Sequence, residues 1–134
     1  MAWDIVYYQD RHTGAIPGAD FLDGIPDKIE AKILAVLDAV AAAPPPSFSG
    51  GGMWEAMHGD MTGYHEVRIT GPQREHFRLF CLLEREGPGL EGPSIVVLDG
   101  RRKPFMTKLS GSDYAQVREF GEAYKASSPR SVAE

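Results

Sequence analysis

A chain of 134 residues, 43% hydrophobic and 25% charged, has the size and composition of one globular domain, large enough to bury about two-thirds of its unfolded surface. A formal net charge of −5 argues against a general, sequence-blind nucleic-acid binder, because that kind of affinity grows with the number of phosphates neutralised. No apolar run approaches the ~18 residues that span a bilayer, and the opening Met1-Ala2-Trp3-Asp4-Ile5 lacks the basic and apolar regions of a secretory signal. One cysteine, Cys81, allows no internal disulfide, so a reducing cytoplasm is the expected location and no membrane partner is expected.

Trp3 to Tyr8 is aromatic and β-branched and reads as a first strand. A turn follows over Gly14 to Gly18, then a short helical turn over Ala19 to Leu22. A longer helix starts at Pro26, whose missing N–H has no intrahelical partner at that position. Ile29, Ile33, Val36, Leu37 and Val40 recur at the spacing of a buried stripe. Asp27 and Glu30 suit the positive end of the helix dipole, and Pro44-Pro45-Pro46 ends the helix. Residues 44–53 form a loop, stiff in its proline half and loose in its glycine half. It lacks the Gly-Lys-Ser/Thr that would make it a phosphate-cradling loop.

Tyr64 to Thr70 and His76 to Arg85 read as a hairpin around Gly71-Pro72-Gln73. Ser94 to Leu98 is a continuous apolar run, as in a strand covered on both faces. Ser110-x-x-Asp113 resembles a capping box that opens a last helix with Tyr114, Val117, Phe120 and Tyr124 on its apolar side. The expected domain covers residues 1–125, and 126–134 reads as a frayed, flexible tail. The expected fold is α+β: a four-stranded, mainly antiparallel sheet with N-terminal helices and a C-terminal helix packed on it.

Charge is unevenly spread. Residues 1–63 carry a net −6, residues 64–108 a net +2 and residues 109–134 a net −1. The basic excess therefore lies in the expected sheet. Side chains alternate along a strand, so Glu66, Arg68 and Thr70 share one face, and His76 and Arg78 share one face of the next strand. If Thr70 pairs with His76, Arg68 stands opposite Arg78. Like charges so placed are unfavourable by up to ~1 kcal/mol, a cost that two guanidiniums offset by binding one phosphate. The alternative is a pair of solvated arginines bridged by Glu66. Arg101-Arg102-Lys103 is either part of the same cationic surface or a solvated loop after the strand. His58 and His65 have no partners at zinc-ligand spacing, so no metal is expected. Trp3 and Trp54 read as packing residues, and Cys81, in an apolar strand, as a small core residue.

The order of these elements, the run Gly59-x-x-x-Gly63-Tyr64-x-Glu66-Val67-Arg68, the strand Phe77-Arg78-Leu79-Phe80 and the turn Asp99-Gly100-Arg101-Arg102-Lys103 resemble the RelE/ParE toxin superfamily, in particular its phage-derived HigB-like branch. The resemblance implies the toxin of a type II toxin–antitoxin pair, an mRNA interferase that cuts ribosome-bound mRNA by 2′-OH attack on the adjacent phosphate, with no cofactor. It also implies a helix-turn-helix, HigA-like antitoxin and the mRNA-carrying ribosome as partners. Arg68 and Arg78 match the arginines of the hairpin strands, Lys103 the basic residues after the last strand, and His58 a position where some relatives carry lysine. These four are the expected catalytic residues; Arg74, Arg101, Arg102 and Lys108 are the expected RNA contacts. Many such toxins are strongly basic and this chain is acidic. A non-catalytic, gyrase-binding protein of the ParE kind and an inactive antitoxin-binding relative therefore stay open as alternatives.

Overall fold

The computed structural model describes residues 2–43 and 52–133. The proline stop at 44–46 and the glycine run of the expected 44–53 loop fall mainly outside these. The fold is α+β. Strands β1 (Asp4–Tyr7), β2 (Trp54–Ala56), β3 (Tyr64–Thr70), β4 (His76–Glu84) and β5 (Ser94–Lys103) form one sheet in the order β1-β5-β4-β3-β2. Helices α1 (Pro17–Asp23) and α2 (Asp27–Ala41) cover one face, and α3 (Gly111–Lys125) packs on the other. No helix among the described residues is long and apolar enough to cross a membrane.

The sheet has five strands and is mixed, which corrects the expectation of four mainly antiparallel ones. β1 runs parallel to β5, from Asp4 opposite Ser94 to Tyr7 opposite Val97. The extra strand β2 is three residues long and antiparallel to β3. Neither was legible locally: a three-residue strand has no measurable alternation, and parallel pairing joins segments about ninety residues apart.

The amphipathic helix is close to its sequence pattern. Ile29, Ile33, Val36, Leu37 and Val40 are all buried, and Pro26 is the cap residue before a helix that begins at Asp27. They meet Val67, Ile69, Phe77, Leu79, Cys81, Ile95 and Val97 from the sheet. Each such side chain contributes about 1.5–3 kcal/mol on leaving water. On the opposite face Tyr64, Phe80, Leu82, Val96 and Leu98 pack with Val117 and Tyr124 of α3. Gly121 lets the helix sit directly on Tyr64, because a Cβ there would overlap the Tyr64 ring. At the start of α3 the Ser110 hydroxyl accepts from the Asp113 N–H, and the Asp113 carboxylate accepts from the Ser110 N–H at 2.9 Å, a complete capping box.

A β-bulge in β5 decides what the sheet presents. Phe80 pairs with Asp99 while Cys81 pairs with Val97, so Leu98 is an extra residue with no direct partner. A bulge of this kind reverses the alternation beyond it. Gly100 therefore faces α1, where a Cβ would fall inside the Phe21 ring, and Arg101 and Lys103 turn to the α3 side.

After α3, residues 126–133 are tied to the rest of the fold, where a frayed tail was expected over 126–134. Tyr8 bridges Val132, Gln9 N–H donates to the Ser131 carbonyl at 3.0 Å, and Ala133 N–H donates to the Tyr7 carbonyl at 2.8 Å. Arg130 Nε donates to Glu84 Oε1 at 2.8 Å. Backbone pairing along the edge beside β1 and this ion pair order the tail, although its composition contains little that is apolar.

Candidate functional site

On the α3 side, beyond the reach of the helix, three strands present a lattice of polar side chains. Cross-strand pairing aligns Glu66 with Phe80 and Asp99 in one row, Arg68 with Arg78 and Arg101 in the next, and Thr70 with His76 and Lys103 in the last. The facing arginines expected from the hairpin are thus present in that register. Next to them lies a groove of about 580 Å3 lined by Glu66, Arg68, His76, Arg78 and Lys103 from the sheet, Met106 to Leu109 from the loop after β5, and Tyr114 from α3. A second cavity of about 910 Å3 shares Arg68, His76 and Arg78 and opens between the β3 edge and α2, against Lys32, Val36, Ala39, Met53 and Glu55.

The two arginines are held differently. Arg78 has 15% of its side chain exposed. Its Nη1 donates to the Phe77 carbonyl at 3.0 Å, and its Nε lies 3.5 Å from Glu66 Oε1. Burial and then the Arg68 charge lower its pKa, with Glu66 acting in the opposite direction. Burial raises the Glu66 carboxyl, and Arg78 and Arg68 only partly offset that rise. Arg68 is 41% exposed and donates to the equally open Glu55 at 3.0 Å. An exposed pair of this kind is worth at most ~1 kcal/mol, so an arriving anion can displace Glu55 at little cost. A positive charge with a fixed position stands beside one that can swing.

Lys103 Nζ is 3.5 Å from Asp113 Oδ2 and remains on the groove wall. Lys108 lines the groove as well. Burial raises the pKa of Tyr114, then Glu66 adds to the rise. Its ring stands edge-on to Phe80, 6.1 Å between centroids.

The remaining residues singled out from the sequence do not join this group. Arg101 shares the face, but its guanidinium is paired with both Asp99 and, at 3.1 Å, Asp113. It ties β5 to the first turn of α3, and a phosphate would have to displace two carboxylates to reach it. Arg102 lies on the opposite face because of the bulge. It makes a two-point pair with Glu75 at 2.7 and 2.9 Å and stacks over the Phe77 ring. Arg101 to Lys103 belong to β5 itself, not to a loop after it. Arg74, with positive φ, lies over the Phe105 ring at 5.0 Å. His58 is exposed at the turn Gly59–Met61 and lines neither cavity. His65 stacks on Trp54 at 5.1 Å under α2, and burial lowers its pKa. Cys81 is buried, with its thiol pKa pushed up by desolvation, so it supplies no thiolate.

The fold brings two further residues to the groove, His76 and Tyr114. His76 carried a signal, since it lies two residues before Arg78 on the same strand face. Tyr114 is the candidate for the C-terminal site tyrosine that the family resemblance implies, set aside on the sequence because it falls on the last helix; the docking of α3 brings it to the groove. Among the described residues no cluster of three or more His, Cys, Asp or Glu side chains is placed to hold a metal ion. No protein-family model, no curated protein and no solved structure matches the chain.

The groove gathers Arg68, Arg78, Lys103 and Lys108 around a single lining carboxylate, Glu66. Planar guanidiniums facing each other across a strand pair, with an ammonium alongside, suit a tetrahedral anion with several oxygens.

Proposed function

We propose that this chain is the toxin of a type II toxin–antitoxin pair and acts as a metal-independent endoribonuclease on ribosome-bound mRNA, held inactive by a helix-turn-helix antitoxin. The observation that carries the reading is Arg68 facing Arg78 in register at the floor of an open groove, with Lys103 on its wall. Like charges opposite each other are costly in a sheet; Glu55 and Glu66 offset part of that cost, and a bound phosphate would offset more.

In this mechanism the phosphate 3′ to the attacking ribose sits between the two guanidiniums. The 2′-oxygen attacks phosphorus, and a pentacoordinate phosphorane gains negative charge. Arginines already in place stabilise that charge more than the ground-state diester, which is what accelerates the step. Loss of one such donor corresponds to about 2.7–4 kcal/mol. The bond to the 5′-oxygen then breaks, and the products are a 2′,3′-cyclic phosphate and a 5′-hydroxyl. Lys103 protonates the leaving oxygen. A strand without 2′-hydroxyls cannot react, so DNA is not a substrate.

Primer extension on a reporter mRNA after brief induction of the chain tests this. New 5′ ends inside translated codons, lost in Arg68→Ala and Arg78→Ala, are the expected result. The net charge of −5 favours one other reading, a protein that binds a protein target such as gyrase without cutting RNA. That reading predicts growth arrest with DNA damage and no new 5′ ends.

A further inference from the structure

The groove contains a histidine that the mechanism above does not use. His76 opens β4, pairs with Thr70 on one side and Lys103 on the other, and lines both cavities. It lies two residues from Arg78 on the same face, roughly 7 Å along the strand. Its Nδ1 is buried and has no hydrogen-bond partner among the described residues. The other ionisable residues lining the groove include several that are already engaged: Glu66 with Arg78, Arg68 with Glu55, and Lys103 with Asp113. Among the described residues His76 forms no ion pair and no side-chain hydrogen bond, and imidazole is the side chain most often used to take or give a proton in catalysis.

We propose that His76 is the general base of the cleavage reaction, in the role that His58 is too distant to fill; this rests on the nuclease reading above. With a phosphate between Arg68 and Arg78, the ribose on its 5′ side lies over the Thr70–His76–Lys103 row. The exposed edge of the imidazole takes the proton of the 2′-hydroxyl as the 2′-oxygen forms its bond to phosphorus. The electron pair of the breaking bond stays on the 5′-oxygen, which receives a proton from the Lys103 ammonium. One proton is taken and one given, and exchange with water resets both groups. The charged and titratable groups that line the two cavities with the imidazole are Glu55 from β2, Glu66 and Arg68 from β3, Arg78 from β4, Lys103 from β5, Lys108 from the following loop, Tyr114 from α3 and Lys32 from α2.

The test is single-turnover cleavage of mRNA on programmed ribosomes between pH 5.5 and 8.5, with Arg78→Ala as the inactive control. The wild-type rate is expected to fall on the acid side as the base becomes protonated. His76→Gln is expected to lose about 10²–10³-fold and to lose that acid limb, whereas Glu66→Gln slows cleavage but keeps it. A His76→Gln protein that keeps the wild-type limb overturns the proposal. If His76→Gln melts well below wild type, His76→Ala with added imidazole decides: recovery of cleavage supports the role, and no recovery overturns it. A wild-type protein that melts normally but cuts no transcript removes the nuclease reading, and the base with it. Cleavage that depends on Arg78 but is indifferent to His76 removes the base alone.

Discussion

One face of this sheet contains two regions built from the same three strands. At the α3 end, Tyr64, Phe80, Leu82, Val96 and Leu98 are buried under the helix. At the other end, Arg68, His76, Arg78 and Lys103 line the groove, and Thr70 lines the cavity beside it. A few residues along each strand separate a dry core from a wet cationic surface. The boundary is the first turn of α3, where Asp113 ties Lys103 and Arg101 to the helix cap. A strand on its own does not say which part of it will be covered. The helix that stops short of the strand ends makes that choice, and it leaves the residues suited to an anion where an anion can reach them.

The contrast can be broken from the apolar side first. Phe80 is fully buried in the α3 core, so Phe80→Ala is expected to destabilise the fold by about 3–5 kcal/mol. Urea denaturation checks it, and a value near zero would mean that this end is not a core. Arg78→Ala is the matching change at the other end. It is expected to lower cleavage by about 10²–10³-fold while costing only about 1 kcal/mol of stability, read from cleavage and melting on one preparation.

A change at the boundary should have intermediate effects. Asp113→Ala removes half of the capping box and one partner of Arg101, with an expected loss of about 1 kcal/mol at neutral pH. Hydrogen bonds from the Ser110 backbone hold the Asp113 carboxyl at about 2 in the folded protein, below its ordinary value of 3.8. Because the folded pKa is depressed, its contribution is fully present above about pH 4 and is lost as pH falls toward 2. The stability gap between wild type and Asp113→Ala should therefore narrow over that window, and denaturation at pH 7 and pH 3 measures it. The smallest effect is expected from Arg102→Ala. Its pair with Glu75 is exposed and lies on the opposite face, so stability should change by less than ~1 kcal/mol and cleavage should not change. A large loss of cleavage in that variant would erase the distinction between the two faces.

Local pattern carried much of this molecule. The alternation of β3 and β4 put Arg68 and Arg78 on one face, and the assumed pairing of Thr70 with His76, which is the register found, sets the two opposite each other. The buried stripe of α2 and the Ser110–Asp113 cap were legible for the same reason: each depends on residues within a few positions of one another. The face on which Arg102 lies was not legible, because one extra residue, Leu98, inverts the alternation and nothing in the run Val96 to Arg101 announces it. His76 was visible beside Arg78, yet its importance depends on Lys103 arriving from β5. Tyr114 reaches the groove only because α3 is anchored by Arg101.

The sequence by itself determined the hairpin with its arginines on one face, the amphipathic helix, the helix cap and the concentration of positive charge in the sheet. These follow from periodicity, capping chemistry and composition, which act over short distances along the chain. Only the tertiary structure decided that β1 lies parallel to β5, that the C-terminal residues seal the edge beside β1, and that the cations divide between the two faces. Those outcomes depend on contacts between distant segments, where the free energy of packing a whole face selects one arrangement among several that the local pattern permits.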